Sequence, residues 1–323
     1  MTTFMDKLEE HLITVRKVAP SSAKNYLRNL RLLNDNRPFN SLGFLRKKDM
    51  IGAKLSSLTS GTRRNYLISI ITALSPHKEQ KSYASLYKHY HTLMLDTAKS
   101  YKDEQPKSGE KSDKQRENGI EMDKVMEIWN ELKSKVDAFS KQKSKELSVS
   151  QYDDLLSLVI LSLYVLQSPR RNKDYTDMMI VKTLSDDHDK SKNYLVINDE
   201  EFVFNAYKTA KNHGQQRLSF KDNDRLKQVI NIYLKFHPLA PARLSAMNTP
   251  IAFLVGRTGS PLRLSNQITR VLNKVFGKRV GSSMLRHIYL SDKFGNVATE
   301  LENTTREMGH TTGEALNTYI KKE

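Results

Sequence analysis

Three short segments of the chain carry side chains able to exchange a phosphodiester bond. The first is Ser168-Pro169-Arg170-Arg171-Asn172-Lys173-Asp174-Tyr175, the second Ser282-Ser283-Met284-Leu285-Arg286-His287, and the third Gly309-His310, with Tyr319 nine residues past the histidine. Breaking and resealing a nucleic-acid backbone without ATP requires a nucleophile whose phosphate ester is close in energy to the bond it replaces. It also requires cationic forks for the non-bridging oxygens and a proton donor for the departing 5′-oxygen. A tyrosine, two arginines, and a lysine or histidine meet those needs.

In this order and spacing the segments resemble the tyrosine recombinase (integrase) family. Arg171 with Asp174 three residues on resembles the family's first arginine and its following acid, a spacing that favours Arg171 over its neighbour Arg170. Ser283 and Arg286 stand at the ends of the family's H-x-x-R box, and Gly309, His310 and Tyr319 match its ending. The family places a lysine on a β-hairpin between the two arginines; the resemblance puts that role on Lys208, with Lys211 as the alternative. It extends over the whole chain. It implies a helical core-binding domain followed by a catalytic domain, a 3′-phosphotyrosine intermediate with Tyr319 as nucleophile, and no cofactor or metal. The implied partner is double-stranded DNA, on which protomers assemble, as a tetrameric synapse. A virus or other mobile element is the implied owner. The implied place of action is inside the cell wherever the target DNA lies, in prokaryotic cytoplasm, a nucleus or a viral factory.

The chain departs from the family where Ser283 replaces histidine: a serine can hydrogen-bond a phosphate oxygen but cannot shuttle a proton near neutral pH. General-acid duty then falls on Lys208 and His310. Only four residues follow Tyr319, which gives the expectation of a monomer in free solution that assembles only on DNA.

Each of these side chains has a plainer alternative. Arg170 or Arg171 could be a charge at a helix C-terminus, Lys208 a solvated lysine, His310 a turn residue and Tyr319 a half-buried core residue. Asp174 reads as structural, pairing an arginine or capping a helix. Three other functions compete. A type IB topoisomerase shares the chemistry. A metal-dependent nuclease could use Asp186, Asp187 and Asp189, although that stretch is polar and turn-like. A DNA-binding protein derived from a recombinase would lack catalysis.

Composition agrees with a nucleic-acid partner. The 323 residues carry a formal net charge of +17, with 53 Lys and Arg against 36 Asp and Glu, and a polyanion is the natural counterpart. Residues 1–100 hold a net +10 and residues 119–323 a net +7. There is no cysteine, which excludes disulfides, thiol nucleophiles and cysteine-ligated zinc. Asp6, Glu9 and Glu10 argue against a secretory signal. The apolar stretch 155–166 is too short to span a bilayer and reads as a buried helix, and no membrane partner is expected.

The elements that must position this chemistry read as mainly α with a small antiparallel β-sheet. Residues 1–100 form a helical DNA-binding domain. Ser21-Ser22 and Thr59-Ser60 are candidate N-caps for two amphipathic helices. Lys24, Arg28, Arg63 and Arg64 near those helix starts are candidate DNA contacts. Residues 101–118, nearly devoid of apolar side chains, read as a linker, and 119–323 as the catalytic domain. Helices are expected at 122–139, 152–166, 226–236, 264–276 and 282–294. Strands are expected at 193–197, 201–207 and 216–220, the last following a turn at Asn212-His213-Gly214. No internal repeat stands out.

Overall fold

The computed structural model describes residues 2–105, 112–144, 146–240, 246 and 249–320, with residues 114 and 115 described by their main chain alone. The chain divides into two compact units, Met1–Ser112 and Asp113–Glu323. It is mainly helical with one small mixed sheet.

The first unit is all helical: α1 (Phe4–Thr14), α2 (Pro20–Leu33), α3 (Lys48–Ser56), α4 (Ser60–Leu74) and α5 (Lys81–Asp103), with short 3-10 turns at Leu42–Arg46 and Ser75–His77. Its core gathers the apolar stripe of each helix, including Leu12, Leu27, Leu30, Leu67, Ile70 and Tyr90. Thr3 opens α1 with a reciprocal capping box to Asp6, which satisfies two N-terminal donors at once. The serine cap expected for the second helix is corrected. Ala19 is the N-cap and Pro20 the first helical residue, so Ser21 and Ser22 fall within the first turn. Proline fits there because the N–H it lacks would be unpaired anyway. Thr59 caps α4 by position, without a side-chain bond to the helix backbone.

The expectation of no internal repeat also needs amending at short range. Ser22-x-Lys24-Asn25-Tyr26-Leu27 on α2 returns as Thr62-x-Arg64-Asn65-Tyr66-Leu67 on α4. The equivalent positions Asn29 and Ser69 meet directly, at 3.0 Å.

Of the expected linker, residues 101–103 complete α5 and Asp113–Asn118 form a short helix, α6; residues 106–111 lie outside the described residues. The second unit is built around α8 (Val149–Val165), whose residues 155–165 are all buried. α7 (Met122–Ser140) packs along it, with the Trp129 indole donating to Ser162 Oγ at 2.7 Å. A capping box between Ser148 and Gln151 fixes where α8 begins. After α8 come α9 (Asn172–Tyr175), β1 (Met179–Val181), β2 (Tyr194–Val196), β3 (Glu201–Phe204), α10 (Ala210–His213), β4 (Gln216–Ser219), α11 (Asp224–Phe236), β5 (Ile251–Ala252), α12 (Ser265–Phe276) and α13 (Ser282–Glu307).

The sheet order is β4-β3-β2-β1-β5. The expected antiparallel sheet is corrected to a mixed one: β2–β3, β3–β4 and β1–β5 are antiparallel, but β1 runs parallel to β2. The inner face, with Ile180, Leu195, Phe202 and Phe204, joins the α8 core. Burying each such side chain contributes roughly 1.5–3 kcal/mol. The helix expected to end at Phe294 continues through Gly295 to Glu307. Among the described residues no helix is long and apolar enough to cross a membrane.

Candidate active site

Arg170 and Arg171 are adjacent in sequence and differ completely in surroundings. The Arg170 guanidinium is mostly buried. It donates from Nε to Asp174 Oδ2 at 3.1 Å and from Nη1 to Gln216 Oε1 at 2.7 Å. Its plane lies over the Phe204 and Tyr207 rings, 3.9 and 4.7 Å from their centroids. Burial raises the Asp174 carboxyl above its usual range, against the opposing pull of Arg170. Asp174 is thus a structural partner of Arg170. Arg171 is the N-cap of α9 and half-buried; among the described residues its guanidinium makes no ion pair or hydrogen bond, although its charge joins Arg170 in pulling the Asp174 carboxyl down.

The residue after it ties this corner to the rest of the unit. Asn172 is buried. Its carboxamide oxygen accepts the Tyr164 hydroxyl at 2.6 Å, and its nitrogen donates to Ser265 O at 2.8 Å and Thr269 Oγ1 at 3.0 Å. One amide thereby joins α8, α9 and α12. The Tyr164 phenol also feels the half-buried Ser282 hydroxyl and the charge of Arg286. Burial holds it far above the ordinary phenol range, reinforced by Tyr175 and Asp174; Ser282 and Arg286 pull the other way. Arg171, through its chain neighbour Asn172, and Arg286, through its charge on Tyr164, are therefore both linked to one buried polar pair, Tyr164 and Asn172. Arg286, in the second turn of α13, is half-buried and has no acidic partner among the described residues. Ser283 is exposed beside it.

The β3–β4 connection is fastened to the same corner by Asn193. Its nitrogen donates to Asp174 O at 2.8 Å and Ala206 O at 3.1 Å, and its oxygen accepts the Asn205 and Ala206 amides at 2.9 and 2.8 Å. The carboxamide is saturated, so the segment leading to Lys208 leaves the sheet in a defined direction. The Tyr207 hydroxyl donates to Gly214 O at 2.7 Å and closes the tip. Gly214, at φ +63° and ψ −161°, occupies a region closed to side-chain-bearing residues. Lys208 and Lys211 are both exposed. Lys208 sits two residues past the Asn193 clasp, and Lys211 lies farther out on α10.

The third segment sits on the far end of α13. Past Leu290 that helix is largely solvent-exposed, with Phe294 and Val297 about half-accessible. Gly309 ends it at φ +73°, and the His310 amide returns to Thr305 O at 2.8 Å, the closure a left-handed glycine makes possible. Thr311 caps a final turn, α14 (Thr312–Glu314), which runs into a π-turn at Ala315–Tyr319. The His310 and Tyr319 rings lie 5.1 Å apart, and His310 Nδ1 is 3.6 Å from Glu314 Oε2. Among the described residues no hydrogen bond, ion pair or ring contact joins His310 or Tyr319 to Arg171, Lys208 or Arg286. The structure thus brings the candidates together as two groups, a basic corner and a tyrosine–histidine pair.

In the first unit, Lys24 and Arg28 are exposed on α2. Arg63 is turned inward and donates to the carbonyls of Leu55, Ser56 and Leu58 at 2.9, 3.1 and 3.1 Å, closing the C-terminus of α3. Arg64 lies over the Tyr101 ring, 5.8 Å from its centroid. Asp187 and Asp189 are turned to Ser185 and Ser191, and no group of three or more His, Asp or Glu side chains converges as a metal site among the described residues.

Sequence reasoning missed Tyr164, Asn172 and Asn193. None touches the candidate chemistry, yet together they set its geometry. Tyr164 carried one sequence signal, a polar group inside an otherwise apolar stretch, which marks a buried hydrogen-bonding group; Asn172 and Asn193 follow polar residues and carried none. Compared with models of protein families, with characterised proteins and with solved structures, the chain matches none.

Proposed function

We propose that this protein cleaves and rejoins DNA through a covalent phosphotyrosine intermediate, in the manner of a site-specific recombinase. The observation that carries the reading is the setting of Arg171 and Arg286. Arg171, far from Arg286 in sequence, directly precedes the buried Asn172, whose carboxamide accepts the Tyr164 hydroxyl, and the charge of Arg286 reaches that same phenol. A phosphodiester with two non-bridging oxygens is the natural counterpart of two arginine forks.

In the proposed reaction the Tyr319 oxygen attacks the phosphorus. A bond forms between tyrosine and the 3′-phosphate, the bond to the 5′-oxygen breaks, and Lys208 supplies the proton to that oxygen. His310, in ring contact with Tyr319, accepts the phenolic proton. Arg171 and Arg286 stabilise the charge that builds on the phosphoryl oxygens. One phosphoester replaces another, so reversal by the 5′-hydroxyl of the same or a different strand reseals the backbone without ATP. The reaction requires the Tyr319 turn to meet the phosphate held at the basic corner, and the exposed outer half of α13 is the element that would carry it there.

The test is Arg286→Lys in the full chain. Lysine keeps the charge and loses the fork, so duplex binding should persist while cleavage falls about 100-fold or more. Cleavage at a near-normal rate would contradict the proposal.

A further inference from the structure

Between α2 and α4 lies a groove of about 400 Å³ lined by Ser22, Asn25, Tyr26, Asn29, Thr62, Asn65, Tyr66 and Ile68. Its walls are the two copies of the repeated pattern, so chemically equivalent residues face one space. Leu27 and Leu67 are buried and Tyr26 and Tyr66 are packed against the core, which fixes both walls. Asn29 and Ser69 are bonded to each other, and the Ser69 hydroxyl continues to Asn65 O at 2.9 Å; that pair is structural. Asn25 and Asn65 differ: both are exposed, and among the described residues neither carboxamide has a partner.

We infer that this groove reads base identity in duplex DNA, with Asn25 and Asn65 each hydrogen-bonding the major-groove edge of an adenine. The inference rests on the proposed DNA reaction and deepens it by naming residues that select the site. No acid lines the groove, neither helix has an acid in its first turn, and Lys24 and Arg28 stand exposed on the same helix as Asn25. A polyanion is therefore admitted. What meets the floor is decided by hydrogen-bond character. A phosphate offers only acceptors and would leave the two carboxamide oxygens unmatched. Adenine offers a donor at N6 beside an acceptor at N7, which an asparagine amide matches with both its atoms. Lys24 and Arg28 then serve the flanking phosphates, which position the duplex without reading it.

The experiment is selection of binding sites from a pool of randomised duplexes by the full chain, followed by affinities of the selected duplex for the wild type, Asn25→Ala and Asn65→Ala. Circular dichroism would verify that these surface variants fold. The wild type should enrich adenine at two positions. Each variant should lose discrimination at one of them, by about 5- to 150-fold. Replacing that adenine with 7-deazaadenine, which lacks N7, should weaken the wild type and leave the matching variant unaffected. If both variants keep the wild-type base preference, or lose affinity equally for all sequences, the groove does not read bases and the inference fails while DNA binding stands. If the wild type binds no duplex at all, the proposed function fails with it.

Discussion

The Tyr164 hydroxyl donates to the Asn172 carboxamide oxygen at 2.6 Å, and that bond gives the two candidate clamp arginines a common foundation. Asn172 follows Arg171 directly in the chain, and the same phenol feels the charge of Arg286. A buried, neutral hydrogen bond therefore lies next to both arginines' positions in the fold. Breaking that foundation should disturb geometry before it disturbs charge.

The arginine doublet should separate cleanly on mutation. Removing Arg170 leaves Asp174 buried without its partner, so Arg170→Ala should lower stability by roughly 3–5 kcal/mol, as broken buried ion pairs do. Arg171→Ala should alter stability by less than about 0.5 kcal/mol and still lose about 100-fold or more in cleavage. Denaturant unfolding of both variants, alongside a cleavage assay, decides it. The reverse pattern would assign catalysis to Arg170.

Lysine choice is open to a chemical rescue. Lys208→Ala should be slow on an ordinary duplex and recover on one with a 5′-thio leaving group, which departs without a proton. Lys211→Ala should behave as wild type on both. Rescue of Lys211→Ala, with an active Lys208→Ala, would move the role to the tip helix.

Cationic residues of the first unit should divide by their surroundings. Lys24→Ala and Arg28→Ala should weaken duplex binding uniformly across sequences, each reducing the salt slope by about 1. Arg63→Ala should chiefly destabilise the fold, by about 1–3 kcal/mol, because three carbonyls at the end of α3 lose their donor. Titrations at several salt concentrations and an unfolding curve distinguish the two effects. A reduced salt slope in Arg63→Ala with unchanged stability would reverse that assignment.

Alkaline pH should unfold the protein through its buried phenols. Tyr90 donates to Leu45 O at 2.7 Å and Tyr152 to Val255 O at 3.0 Å, and burial pushes each up to about 12. An unfolded tyrosine titrates near 10. A pKa raised by folding means the stabilisation is complete below about pH 10 and is lost as pH rises through about 12. Stability should therefore fall across that window, with phenolate absorbance appearing in part only as the chain unfolds. Stability unchanged to about pH 12, with all tyrosines ionising near 10, would contradict this burial.

Much of this architecture was readable in the residues. Periodicity placed the helices now seen at Met122–Ser140, Val149–Val165, Asp224–Phe236 and Ser265–Phe276, and alternation placed β2, β3 and β4. What escaped was short or relational. β1 and β5 span three and two residues, too few for any period, and the parallel β1–β2 pairing is a tertiary fact. The expected helix ended at Phe294, before a glycine that costs near 1 kcal/mol in a helix interior, yet α13 carries on through Gly295. At the site, residue type could not tell Arg170 from Arg171. Only Phe204, Tyr207 and Gln216, brought close by the hairpin, mark Arg170 as engaged. Asn172 and Asn193 matter through bonds to distant backbone and side chains, which no local pattern announces.

The central claim is that Tyr319 becomes covalently joined to DNA, and a trapping experiment tests it most directly. A duplex carrying the selected site is nicked just 3′ of the cleavage position, so that the short 5′-hydroxyl fragment diffuses away and religation is prevented. After incubation in chelator, denaturing electrophoresis should show a protein–DNA adduct whose DNA-bearing peptide contains Tyr319. Tyr319→Phe should bind the same duplex with wild-type affinity and form no adduct. An adduct of equal yield from Tyr319→Phe, or cleavage by the wild type that leaves both DNA ends free of protein, would contradict the account.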